Sequence, residues 1–221
     1  MARVRFGEDE WQATDRLATK RRKTRLGQGR KGSGSAPAGR GAVRVIGGLL
    51  RGRRIGLAPE PGLRPTPDRV RETLFNWLTP MVRGALCLDL FAGSGALGIE
   101  ALSRGARQVV FVDRSPACAA ALRGEIERLA LSAEVWQMSA ESYLAAPGGP
   151  FDIVFLDPPF DTPDYAALLD LVASANCLAP AAAIYLELAA RNALPVLPPL
   201  WRVHRSGRAG DVGYHLLLRE S

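Results

Sequence analysis

Asp157-Pro158-Pro159-Phe160 follows the apolar run Phe151–Leu156, which reads as a buried strand. Each proline fixes its own φ, lacks an N–H and pushes the residue before it towards extended backbone. The turn is therefore rigid, and it holds the Asp157 side chain and the Pro158 carbonyl as acceptors beside the Phe160 ring. A planar amine on an aromatic base suits that arrangement: two acceptors take its two N–H groups while the ring stacks on the base. The four residues alone also allow a plain capped loop, with Asp157 bonding local backbone and Phe160 packed inward.

Two further carboxylates close apolar runs. Asp89 lies near the end of Ala85–Leu90, just before the loop Phe91-Ala92-Gly93-Ser94-Gly95, and Asp113 follows Val109–Val112. Gly93-Ser94-Gly95-Ala96-Leu97-Gly98 matches the dinucleotide fingerprint, with Asp113 eighteen residues beyond Gly95. Asp113 would take ribose hydroxyls from NAD or from another adenosine cofactor alike, so the fingerprint leaves both open. Asp89 discriminates, because a carboxylate at the end of the first strand is poorly placed beside a pyrophosphate. It suits a ligand carrying an ammonium and a sulfonium, and S-adenosylmethionine is that ligand. The structural alternatives are a loop-capping role for Asp89 and a helix N-cap before Pro116 for Asp113.

The elements that must position these acids alternate from residue 85 onward. Strands are expected at Ala85–Leu90, Val109–Val112, Ala133–Met138, Phe151–Leu156 and Ala182–Leu188, with helices over Ala96–Ser103, Pro116–Leu129 and about Asp164–Ala175 and a short one after Ser139. Such alternation gives a mostly parallel, Rossmann-like α/β sheet with helices on both faces. Trp201–His204 and Tyr214–Arg219 are late strands whose short link, Ser206–Gly213, favours an antiparallel C-terminal hairpin over a crossover. In sheets of this kind ligands bind beyond the carboxyl ends of the strands, where Asp89, Asp113, Ser139 and Asp157 all fall.

Upstream, Val43–Ile46 and Arg53–Leu57 flank Gly47-Gly48 and predict a small β-hairpin carrying Arg44, Arg51, Arg53 and Arg54. Thr66 suits an N-cap and Pro67 the first position of a helix whose inner face is Val70, Leu74, Phe75 and Leu78. That leaves Arg69, Arg71, Glu72 and Asn76 on its other faces. Residues 1–41 are poor in apolar side chains, with Lys20–Arg25 nearly all basic and a Gly/Ser/Ala/Pro stretch behind, and predict a disordered extension. The expected organisation is thus a basic extension (1–41), a basic hairpin and helix (42–84) and an α/β domain (85–221).

Charge supports that polarity. Residues 1–41 hold eleven Lys/Arg against four acids, residues 42–85 eight against three, and residues 86–221 ten against fifteen. A basic front and a mildly acidic back draw a polyanion to the amino-terminal side. No apolar run is long enough for a bilayer span, and no signal peptide opens the chain. Cys87, Cys118 and Cys177 show no CxxC spacing and read as reduced thilols of a cytoplasmic protein, and two histidines without paired cysteines argue against a metal site.

Asp89-Leu90-Phe91-Ala92-Gly93-Ser94-Gly95 looks like motif I of class I methyltransferases, and Asp157-Pro158-Pro159-Phe160 like their amino-methyltransferase motif IV. Residues 43–219 as a whole resemble the RsmD family of 16S rRNA guanine-N2 methyltransferases. The match is carried by Val43–Gly48, Arg51-Gly52-Arg53, Gly62–Thr66, Asp68–Leu78 and Gly95–Gly98. The resemblance implies methyl transfer from S-adenosylmethionine to the exocyclic N2 of one guanine, position 966, in 16S rRNA, within a small-subunit particle and by a monomer. It assigns catalysis to Asp157, Pro158, Pro159 and Phe160, and the cofactor to Asp89, Phe91, Gly93, Gly95, Asp113, Arg114, Ser139 and Ala140. The RNA would fall to Arg44, Arg51, Arg53, Arg54, Arg64, Thr66, Arg69 and Arg71. The extension 1–41 goes beyond the family's usual start, and Ser139 stands where the family often has Asn or Asp. A DNA adenine or protein glutamine methyltransferase would share motif IV, and a non-catalytic ribosome-assembly RNA binder would share the basic front.

Overall fold

In a computed structural model of the protein, the described residues are 41–58, 66–159, 162 and 164–220. The expected extension up to residue 40, Arg64 and Phe160 lie outside the described residues. Gly39–Ser221 form one compact unit.

Seven strands build the main sheet. The parallel set is β3 (Leu86–Asp89), β4 (Gln108–Asp113), β5 (Ala133–Gln137), β6 (Phe151–Leu156) and β7 (Leu178–Ala189). The antiparallel set is β8 (Trp201–Ala209) and β9 (Val212–Arg219), and the sheet order is β5-β4-β3-β6-β7-β9-β8. The chain runs outward from β3 to β5 and then returns to add β6 on the other side of β3. The strand order therefore reverses between β3 and β6, and that reversal opens a crevice at their carboxyl ends. The C-terminal hairpin is tighter than the sequence suggested. Its strands extend to Ala209 and Val212, leaving Gly210 and Asp211 to turn the chain.

Helices α2 (Ala96–Ser103), α3 (Pro116–Leu129), α4 (Ala140–Leu144) and α5 (Tyr165–Ser174) follow β3, β4, β5 and β6. Pro116 opens α3 behind Ser115, whose side chain accepts from the Cys118 N–H, a good N-terminal signal read correctly from sequence. Two apolar cores sandwich the sheet. One contains Leu74, Phe75, Ile99, Phe111, Phe155 and Tyr185, and the other Leu88, Val112, Val154, Leu169, Ile184 and Leu217. Successive residues of β6 and β7 alternate between the two, as the two-residue strand period requires.

The amino-terminal segment is part of this body. Strands β1 (Ala42–Arg44) and β2 (Arg54–Gly56) pair antiparallel, and α1 (Asp68–Trp77) follows. The loop of the hairpin is pinned to α2: Ile46 and Gly47 donate N–H bonds of 2.7 and 2.8 Å to the Glu100 carboxylate, and Leu49 donates to the Ser103 carbonyl at 2.7 Å. Gly48 makes this approach possible. Its φ is +75°, and a Cβ there would lie 1.8 Å from the Ser103 carbonyl oxygen.

Two expectations about α1 fail. Thr66 does not cap the helix: the N-cap is Pro67, with no side-chain cap bond, and the Thr66 hydroxyl is committed elsewhere. Arg71 is not on an outer face. It is 0% exposed, and its guanidinium reaches the Thr66 and Arg44 carbonyls, the Asp68 carboxylate at 2.6 Å and Glu100 at 3.7 Å. A guanidinium so enclosed cannot contact RNA, and its role is to tie β1, α1 and α2 together.

Candidate functional site

The crevice is built from the ends of three adjacent parallel strands. Asp89 ends β3, Asp113 ends β4, and Asp157 follows β6 directly, so adjacent strands bring together residues far apart in sequence. The connection after β3 is held open by its own backbone. Leu90 donates to the Phe155 carbonyl and Ala92 to the Val112 carbonyl, which pins the loop between the two neighbouring strands. Gly95, the N-cap of α2, has φ +74°, and a Cβ there would come within 2.4 Å of the Leu122 side chain. Ala96 and Leu97 behind it are buried and Gly93 is half-buried.

Asp89 is 1% exposed and accepts the Gly98 N–H at 3.1 Å, within the first turn of α2. Burial pushes its carboxyl up to about 7, the charges of Asp157 and Asp113 add to the rise, and the Gly98 bond opposes it. Asp113 accepts the Gly93 N–H at 2.7 Å through one oxygen and the Ser115 N–H at 2.8 Å through the other. It therefore locks the glycine loop to the end of β4, and each of its oxygens retains a lone pair for a hydroxyl donor. Among the described residues no ion pair reaches Asp89, Asp113 or Asp157. Three acids at one crevice that no described ion pair reaches suit a ligand that brings positive charge together with hydroxyl donors.

Asp157 stands across the sheet reversal from Asp89. Its Oδ2 accepts the Thr66 hydroxyl at 3.1 Å. The surrounding protein raises its carboxyl to about 6, against the lowering effect of that hydrogen bond. The turn beyond it is locked: Thr162 donates both its N–H, at 2.9 Å, and its hydroxyl, at 2.6 Å, to the Pro159 carbonyl. Pro158 is buried beneath the turn and Pro159 exposed. The rigidity expected of the two prolines is thus reinforced by Thr162, whose contribution the sequence did not announce.

The other expected cofactor residues follow β3, β4 and β5, at the same edge of the sheet. Phe91 is half-buried against the second core, and Arg114 is exposed close enough to Glu141 to help hold that carboxyl below its usual range, after the backbone and Ser139 bonds. Ser139 caps α4 through its bond with the Ser142 N–H, which leaves Ala140, buried, as the first residue of that helix. The serine hydroxyl is engaged locally, donating to the Ser142 hydroxyl at 3.0 Å.

Of the expected RNA-facing residues, Arg44, Arg51, Arg53, Arg54 and Arg69 are exposed on the hairpin and α1. Thr66 is buried at the site itself, and Arg71 is in the interior. Sequence reasoning missed Glu187 on β7. It is 2% exposed, accepts the Tyr185 hydroxyl at 2.6 Å, and lies beside Thr66 and Asp157. Its signal was present, an acid in an otherwise apolar strand, Ile184-Tyr185-Leu186-Glu187-Leu188.

Comparison with known proteins places the chain in a family. The family described as Conserved hypothetical protein 95 matches residues 43–218. The chain is 46% identical over 185 residues to Ribosomal RNA small subunit methyltransferase D of Escherichia coli K12, covering 83% of this chain and 93% of that protein. It is 42% identical to the protein of the same name from Haemophilus influenzae, covering 81% and 95%. A solved structure from Escherichia coli, yhhF, superposes with a TM-score of 0.76 at 44% identity, covering 81% of this chain and 99% of that one. With a family match across residues 43–218 and relatives this similar over nearly their whole length, the chain belongs to the Conserved hypothetical protein 95 family, whose RsmD members are the small-subunit rRNA methyltransferases D.

Proposed function

We propose that the protein transfers a methyl group from S-adenosylmethionine to the exocyclic N2 of a guanine in 16S rRNA. The observation that carries this is the convergence of Asp89, Asp113 and Asp157 at the ends of β3, β4 and β6, where no described ion pair reaches them. The relatives' names point to small-subunit rRNA as the substrate. Asp89 and the glycine loop would hold the amino-acid end of the cofactor, Asp113 its ribose, and Phe91, Ser139, Ala140 and Arg114 the rim around its adenine. The cofactor supplies an activated methyl on a sulfonium.

Asp157 and the Pro158 carbonyl perform the positioning. The lone pair of a guanine amine is delocalised into the purine, so the amine is a weak nucleophile. Two acceptors that take its two N–H groups orient the nitrogen for in-line attack and stabilise the positive charge that develops on it. Asp157 can then accept the proton released from the product amine, and no strong base is needed. Asp157 is half-buried at the end of its strand, so the base would have to leave its stack to reach it. Phe160 is the ring proposed to stack on it. The exposed Arg44, Arg51, Arg53, Arg54 and Arg69, with Arg64, would bind phosphates. The setting proposed is the cytoplasm, with a monomer acting on a small-subunit particle, and guanine 966 as the base.

Mass-spectrometric mapping of small-subunit rRNA, with and without the protein and S-adenosylmethionine, tests this reading. One new N2-methylguanine is expected, at a single position. Methyl transfer to DNA adenine or protein glutamine, with none to rRNA, would replace it.

A further inference from the structure

Glu187 is an acid in the wrong place for a structural carboxylate. It sits in the middle of the sheet, 2% exposed, and among the described residues no ion pair reaches it. The titratable groups facing it are Asp157 at the end of β6, Tyr185 two residues before it on β7, and Tyr214, its register partner on β9. None of these is a cation. An isolated carboxylate in such surroundings is costly, and two carboxylates sharing one site do not both ionise. A proton is therefore held between Glu187 and Asp157.

The hydrogen bonds say where. The Tyr185 hydroxyl donates to Glu187 Oε1 at 2.6 Å, and the Thr66 hydroxyl donates to Asp157 Oδ2 at 3.1 Å. Asp157 and Glu187 follow the register partners Leu156 and Leu186, so Thr66, bonded to the one carboxyl, is set beside the other. Thr66 has one proton, and Asp157 receives it, so toward Glu187 the threonine oxygen is an acceptor. A protonated Glu187 completes a line in which every group donates in one direction, from Tyr185 through Glu187 and Thr66 to Asp157. Burial is the main cause that raises the Glu187 carboxyl to about 8, with the Asp157 charge second.

We propose that Glu187 is a positioning residue for methyl transfer, acting through the Thr66 hydroxyl to hold the Asp157 carboxylate in place for the target amine. The brace occupies Oδ2 of Asp157 and leaves Oδ1 for an amine N–H. It also gives Thr66 a reason to be buried at the end of a loop without capping α1. This inference rests on the reading of Asp157 as the acceptor of the amine.

The test uses the full-length protein with S-adenosylmethionine and small-subunit particles, and the variants E187L, E187Q, T66V, the double variant E187L/T66V and D157A. E187L and T66V should each lower kcat by about tenfold, the worth of one buried hydrogen bond to a charged group. KM for RNA and calorimetric affinity for S-adenosylmethionine should stay within twofold. The double variant should lose no more than either single one, because both cut the same line. E187Q keeps a donor for Thr66 and an acceptor for Tyr185, and should recover most of the turnover that E187L loses. Because glutamine cannot ionise, the ratio of wild-type to E187Q turnover should fall as the pH rises past about 8. Should E187L fail to fold, T66V and E187Q carry the test through their turnover and pH profiles. Full turnover in T66V, or a flat ratio across pH 7–9.5 with E187Q no better than E187L, would overturn the brace while an inactive D157A leaves the reading of Asp157 standing. An active D157A would overturn that reading and the brace with it.

Discussion

Arg71 and Glu100 face each other with both side chains fully buried, Nη1 of the arginine 3.7 Å from Oε2 of the glutamate. The same carboxylate takes the Ile46 and Gly47 N–H groups and the Arg104 guanidinium, whose Nε is 2.7 Å away. One glutamate on the helix that starts at the glycine loop therefore anchors the basic hairpin. The hairpin proposed to meet RNA and the loop proposed to hold the cofactor are thereby tied into one frame.

Removing that anchor exposes its worth. E100A leaves Arg71 buried beside fewer acceptors and two hairpin N–H groups without theirs. We expect it to destabilise the fold by about 3–5 kcal/mol, the range for breaking a buried pair from one side. Urea denaturation checks this, and R71M combined with E100L should be less harmful than E100A alone.

Asp113→Ala should weaken S-adenosylmethionine by about 1.5–3 kcal/mol, the value of hydrogen bonds to a charged group. Part of the loss arises because the Gly93 N–H is released along with the ribose contact. Calorimetry reads it directly, and NAD should show no binding to either form.

Asp157→Ala should leave cofactor affinity nearly unchanged and lower methyl transfer about a hundredfold or more, as for the loss of a preorganised polar group. Single-turnover methylation of small-subunit particles is the measurement. Near-normal turnover would make the turn structural.

Stability should fall as pH rises from about 4 to about 8, through Asp157, Asp89 and then Glu187. Asp89 titrates near 7 when folded, against an ordinary 3.8 when unfolded, and Asp157 is raised to about 6. Across that window the unfolded chain binds fewer protons than the folded one, so the slope of unfolding free energy with pH is negative from these groups. D89N should flatten the thermal-melt profile between pH 4 and 7. Binding a cationic cofactor favours ionised Asp89, so affinity should rise with pH through 7 and release protons, visible in buffers of different ionisation enthalpy.

Arg51 and Arg53 are exposed on the hairpin and make no described side-chain ion pair. If each neutralises one phosphate, R51A/R53A should flatten the salt dependence of RNA affinity by about 1.4–1.8 in log–log slope. The methylated position should not change. An unaltered slope would move the RNA footprint off the hairpin.

Much of this protein was decided locally and could be read as such. The alternation of apolar runs and helical patterns from residue 85 depends on side-chain period, and each expected element of the α/β body appears, Ala96–Ser103 and Pro116–Leu129 matching at both ends while β7 begins at Leu178 rather than Ala182. Asp89, Asp113 and Asp157 were identifiable because each follows a buried strand, and in a parallel sheet all such positions face one edge. The turn at Asp157 was legible because proline acts on its immediate neighbours.

What the sequence could not settle depends on partners distant along the chain. Arg71 reads as a surface arginine by type, although its spacing of three and four from Leu74 and Phe75 puts it on the inner face of α1. Only Glu100 and the carbonyls of Thr66 and Arg44 make burying it tolerable. Thr66 looks like a helix cap by local chemistry, yet its hydroxyl serves Asp157, ninety-one residues on. Glu187 is one acid in an apolar strand until β6 and β7 pair and bring it beside Asp157. A buried polar group is set by what folds around it, and the cost of leaving it unpaired selects the one arrangement in which distant residues satisfy it.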